Sequence, residues 1–187
     1  LVLVWWAGRV AVAFSAVIGA PAAAVIDLAY LAMFAGFIGR EILAGRNWRN
    51  VPVLAVLSLL FCANLLIHIG DVGGVAWQDA GKRLAISLIV LLISLIGGRI
   101  VPSFTTNWLR RRQGAALPVP YGRFDTATLA VSVLALAVWT IFGDRPAAGA
   151  ALFVAAAVQV ARLSRWRGIA TTAEPLLSVL HLGYLWV

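Results

Sequence analysis

The sequence has one cysteine, one methionine, two histidines and seven acidic residues in a length of 187. A lone Cys62 excludes an internal disulfide and any Cys-x-x-Cys metal or haem-attachment motif. Charged residues are scarce as well: they make up 12% of the chain, against about a quarter in soluble domains. No polar stretch is long enough for a soluble domain between the apolar runs. The opening LVLVWWAGRVAVAF lacks both a methionine and a basic flank, so it does not read as a signal peptide. An apolar run is still open at Val187, and the two ends together give the expectation of an internal piece of a longer protein.

Apolar residues fill the chain instead, at 63% with a mean hydropathy of +0.97. They form seven segments, at residues 1–18, 25–43, 51–69, 84–101, 126–142, 147–161 and 176–187. A helix of about 20 residues crosses the roughly 30 Å hydrocarbon layer. The runs are continuously apolar rather than alternating, which selects helices over a β-barrel. The expected fold is all-α: a polytopic transmembrane helix bundle in one domain over residues 1–187, its first and last segments truncated, with the lipid bilayer as partner.

The net charge of +8 sorts by position. Arg40, Arg46 and Arg49 follow the second segment; Arg99, Arg110, Arg111, Arg112 and Arg123 cluster after the fourth; Arg162, Arg165 and Arg167 follow the sixth. The opposite loops hold Lys82, Arg83 and Arg145, offset by Asp71, Asp79 and Asp144. Basic residues accumulate on the cytoplasmic side, so the arginine-rich loops are expected inside. Topology accounts for the basic excess, and no nucleic-acid partner is needed.

Ionisable groups inside a span are costly and point to function. His68 follows Asn64 by one helical turn, so the two share a face. His181 lies on a stripe with Glu174, Ser178 and Tyr184. Counted from the inner ends of their segments, His68 lies about 26 Å and His181 about 10 Å along the helix, from the rise per residue. At those depths the two imidazoles are not expected to ligate one iron, and His68 reads as either a ligand or an interfacial residue. Arg9 looks central to its segment, whereas Asp27 and Tyr30 read as cap and interface anchor. Trp5, Trp6, Trp48, Trp77, Trp108, Trp166 and Trp186 read as an aromatic belt, and Met33 and Cys62 as packing atoms.

In LIGGRIVPSFTTNWLRRR, Gly97 and Gly98 thin the helix and Pro102 is expected to end it. SFTTNWLRRR then reads as a short interfacial helix capped by Ser103 or Thr105, with its arginines toward lipid phosphate. Arg99 beside Thr105, Thr106 and Asn107 would make a cradle for a carboxylate or phosphate.

GGRIVPSFTTN, IGREILAGRNWRN, NLLIHIG and the terminal HLGYLW together resemble the NnrS family of bacterial inner-membrane proteins, along essentially the whole chain. The resemblance implies a protein of about twelve spans that contains haem and copper and takes part in the response to nitric oxide. It marks His68 and His181 as the positions matching the family's histidines, hence candidate metal ligands, and implies a haem propionate as the partner of Arg99. Asn64, Asn107 and Tyr184 complete the candidate cofactor-binding residues. A secondary transporter of a small solute or ion is the competing reading, because polar residues in helices also mark substrate paths. Pro21, Pro52, Pro102, Pro146 and Pro175 all fall at segment ends rather than at midplane breaks, which counts against it.

Overall fold

The computed structural model of the protein describes residues 1–112 and 116–187, the side chain of Val72 excepted. Among these residues the regular structure is entirely helical, because only internally bonded helices satisfy the backbone of continuous apolar runs in lipid. The helices are α1 (Val2–Ala13), α2 (Ser15–Ile18), α3 (Ala20–Ala44), α4 (Val51–Gly73), α5 (Val75–Leu109), α6 (Arg123–Phe142), α7 (Pro146–Ser164) and α8 (Pro175–Tyr184). Short 3-10 turns stand at Trp48–Asn50 and Gly168–Thr171. Among the described residues five helices are long and apolar enough to cross a membrane: Ala20–Ala44, Trp48–Asp71, Val75–Leu109, Arg123–Phe142 and Pro146–Ser164. The chain is a multi-pass membrane protein. The outer two of the seven expected segments are shorter: α1 has 12 residues and gives way at Phe14 to the four-residue α2, and α8 has 10.

One expectation fails at Pro102. The proline lies inside α5, which continues unbroken to Leu109, so SFTTNWL is its last turns and not a separate interfacial helix. Pro102 removes a single donor, the one that would serve the Gly98 carbonyl, whereas ending the helix in lipid would expose several groups. Ser103 and Thr105 therefore lie inside the helix and are not caps. The hydroxyls of Thr105 and Thr106 donate back to the carbonyls of Val101 at 2.9 Å and Pro102 at 2.8 Å.

The chain divides into two compact units, Leu1–Leu88 and Ile89–Val187. Helix α5 contributes residues 75–88 to the first and 89–109 to the second. In the first unit α3 packs against both α1 and α4. Gly8 permits the approach of α1 to α3: a Cβ there would lie 2.9 Å from Asp27 Oδ1 and 3.0 Å from Asp27 Cα. In the second unit α6 pairs with α7, and α8 packs on the Gly168–Thr171 turn. Its core joins Val101, Trp166 and Tyr184, with Leu163 packed alongside. Trp166, expected as an interface anchor, is 2% exposed and packs against Tyr184 with ring centroids 4.7 Å apart and planes tilted by 59°, so its indole serves the core.

Candidate functional site

Among the described residues each unit buries a polar cluster. In the first, the hub is Asp27, 4% exposed in the body of α3. It pairs with Arg9 from α1, and its Oδ2 accepts from Asn64 Nδ2 at 2.8 Å and faces His68 Nε2 at 3.2 Å, both from α4. The spacing of Asn64 and His68 brings both to one carboxylate, as their shared face requires. A carboxylate buried among apolar helices persists when it is paired and fully hydrogen-bonded, and three donors from two neighbouring helices meet that condition. Asp27 is thus the centre of a site and neither a cap nor an anchor. His68 Nδ1 stands 3.9 Å from Asp71 Oδ2, one turn along α4. Two clefts flank the cluster. One, of about 250 Å³, is lined by Trp5, Arg9, Asp27, Tyr30 and Asn64 among others. The other, of about 380 Å³, has His68 in a wall otherwise made of Ala20, Pro21, Ala24, Leu65, Ile69 and Gly73.

In the second unit the centre is Arg162, 1% exposed near the end of α7. Its Nε donates to Asp125 Oδ1 at 3.0 Å, and its Nη1 donates to Tyr184 Oη at 3.0 Å and to the Ser94 carbonyl at 3.3 Å. The other oxygen of Asp125 accepts the Gly122 N–H at 3.0 Å, so one carboxylate caps α6 and neutralises the buried guanidinium. Tyr184 Oη in turn donates to Gln159 Oε1 at 3.0 Å, and Gln159 Nε2 donates to Ser132 Oγ at 3.0 Å and Ser94 Oγ at 3.3 Å. His181 closes α8 onto this unit. Its Nδ1 donates to the Leu177 carbonyl at 2.9 Å, and its Nε2 lies 3.4 Å from Thr105 Oγ1. The single Thr105 proton is already directed at Val101, so it is the weaker partner of the imidazole.

Of the residues the sequence pointed to, Asn64 and His68 meet at Asp27, while Tyr184, His181 and Thr105 lie together in the second unit. Arg99 and Asn107 are exposed on α5, and neither makes a hydrogen bond or ion pair among the described residues. Asp125, Gln159, Ser94 and Ser132 were not anticipated. Arg162 was assigned to a loop because its segment was ended at Ala161, three residues before the helix ends at Ser164. A signal was present: Asp125, Thr128 and Ser132 recur at helical spacing and are all buried, and so are Gln159 and Arg162.

The residues can be weighed against haem and copper by their donors. At His181 the donor fits, since an Nδ1–H held by a backbone carbonyl leaves Nε2 as the ligating atom. The space does not fit: Thr105 Oγ1 stands against Nε2, and a Cβ on Gly168 would lie 2.7 Å from Cδ2 of the same ring. At His68 the donor fits as well, because an imidazole backed by a carboxylate is the usual arrangement of a metal-bound histidine; Asp27 holds Nε2, so Nδ1 would be the ligating atom, with Asp71 Oδ2 at 3.9 Å, and the ring borders an apolar cleft. For copper, no group of three or more His, Cys, Asp or Glu among the described residues could hold a metal ion, and Cys62 and Met33 are exposed.

A family model described as NnrS protein matches residues 1–187. No curated protein and no solved structure matches the chain. The chain belongs to the NnrS family.

Proposed function

From membership of the NnrS family, we propose that this chain is a haem-binding membrane protein that acts in the response to nitric oxide. It would lie in a bacterial inner membrane with its arginine-rich loops cytoplasmic, an orientation that the charge asymmetry supports. The observation that carries the reading is the family match along all 187 residues. His68 is the residue best suited to hold the iron. Asp27 fixes the orientation of its ring, Asn64 and Arg9 hold Asp27, and the apolar wall around His68 suits a porphyrin face. When bound, haem iron would supply a coordination position for nitric oxide. Copper, which the resemblance also implies, would need ligands beyond the groups described in this chain.

The transporter reading draws support from the Arg162–Asp125 pair, because ionised groups in the lipid zone mark substrate paths. That network is closed, however. Among the described residues no buried side-chain nitrogen or oxygen lacks a partner, and the two charges of this pair compensate each other. A pyridine haemochrome assay on the purified full-length protein separates the two readings: bound haem supports the first, and a haem-free, folded preparation removes it.

A further inference from the structure

The second unit has a strongly one-sided end. Gly98, Asp125 and Arg162 meet at one level of the helices, as the Arg162–Asp125 bond and the guanidinium against Gly98 show. Beyond that level lie Arg110, Arg111 and Arg112 at the end of α5, Arg123 at the start of α6, and Arg165 and Arg167 after α7. The Val119 N–H donates to the Arg165 carbonyl at 3.2 Å, which ties the segment before α6 to the end of α7. None of these six arginines forms a salt bridge among the described residues. The acids of this end are Glu174 and Asp125, and Asp125 is consumed by Arg162.

Two of the guanidiniums are pre-set by rings. Arg112 sits 4.0 Å from the centroid of Trp108, and Arg165 sits 4.5 Å from that of Phe124. Stacking on a ring face holds the planar fork and leaves its N–H edges free to bind an oxyanion. Phe104, Tyr121, Phe124 and Ile169 are exposed nearby in the chain, Ile169 at 90%. Exposed apolar side chains interleaved with unpaired arginines match the boundary between acyl chains and charged headgroups.

We propose that this end of the second unit is a binding surface for anionic phospholipid, with arginines on α5, α6 and the α7–α8 connection contacting the headgroup phosphate. Planar N–H edges meet phosphate oxygens in pairs, which a choline headgroup's compensating positive charge weakens. Each surface arginine is worth roughly a fivefold preference for anionic lipid.

The test is native mass spectrometry of the full-length protein in mixed micelles of equal phosphatidylglycerol and phosphatidylcholine. The proposal expects the wild type to retain phosphatidylglycerol over phosphatidylcholine by at least about tenfold. R110Q/R111Q/R112Q should lose at least about tenfold of the preference, more than R165Q, which should lose a fewfold. R110K/R111K/R112K keeps the charge that sets topology and should keep most of the preference, so a loss in the glutamine variant cannot be assigned to misinsertion if the lysine variant is also folded. R46Q/R49Q in the first unit should retain the wild-type preference. Equal retention of the two lipids by the wild type, or a preference that survives the glutamine variants, would overturn the proposal. So would complete displacement of phosphatidylglycerol by excess inorganic phosphate, which would mark a site for free anions instead.

Discussion

Gly98→Ala should destabilise the protein even though alanine is the better helix former. A Cβ at this position would lie 2.8 Å from Arg162 Cζ and 2.9 Å from Nη1, and closer still to Nη2. The guanidinium is the end of a long side chain and could retreat, but only by giving up its bonds to Asp125, Tyr184 and the Ser94 carbonyl. Separating a buried ion pair costs about 3–5 kcal/mol because a charge is left uncompensated. Replacing a helical glycine by alanine returns about 1 kcal/mol. The net loss is about 2–4 kcal/mol, which for a chain of this size lowers the unfolding midpoint by about 4–16 °C. Thermal unfolding of the detergent-purified protein measures it, with Gly149→Ala as the control, since nothing lies within 4 Å of a Cβ there. The control should gain up to about 1 kcal/mol from helix propensity alone. In an Asp125→Leu/Arg162→Leu background the Gly98→Ala penalty should vanish, because neighbours that share one network are not additive. If Gly98→Ala behaves like Gly149→Ala, Arg162 does not occupy the position described.

Asp27→Ala should cost about 1–3 kcal/mol in the same assay, since it leaves the Asn64 amide and the His68 ring without the carboxylate they bond, and Asp27→Asn should cost less. Gly168→Ala places a Cβ 2.7 Å from His181 Cδ2; α8 must shift, and the expected loss of about 1–3 kcal/mol should appear as faster proteolysis of the chain's last segment. A cysteine at Arg111 in a Cys62→Ser background should be labelled from the cytoplasmic side only. Labelling from the periplasm would reverse the topology.

Helix class and the approximate positions of the spans were legible because hydrophobic runs of this length permit few alternatives in lipid. Pairing between helices was not legible. Asp27 reads as a cap from its neighbours alone, and only the packing of α1 and α4 against α3 brings Arg9, Asn64 and His68 to it. Arg162 illustrates how little separates a loop residue from a core residue: ending the segment at Ala161 makes it a topology signal, and one further residue of helix turns it onto Asp125. Pro102 was misjudged because a proline's preference for helix ends, a soluble-protein regularity, is weaker where ending the helix would expose backbone to lipid. The face of α8 was read correctly in part, since His181 and Tyr184 are both buried as their spacing requires, with Leu177 beside them.

The account rests most directly on His68 as the haem ligand in the first unit. Absorption spectra of the full-length protein, its His68→Ala variant and its His181→Ala variant, each shown to be folded by gel filtration, decide it. The account predicts a Soret band in the wild type and in His181→Ala, and its loss in His68→Ala. A Soret band of wild-type intensity in His68→Ala would contradict it.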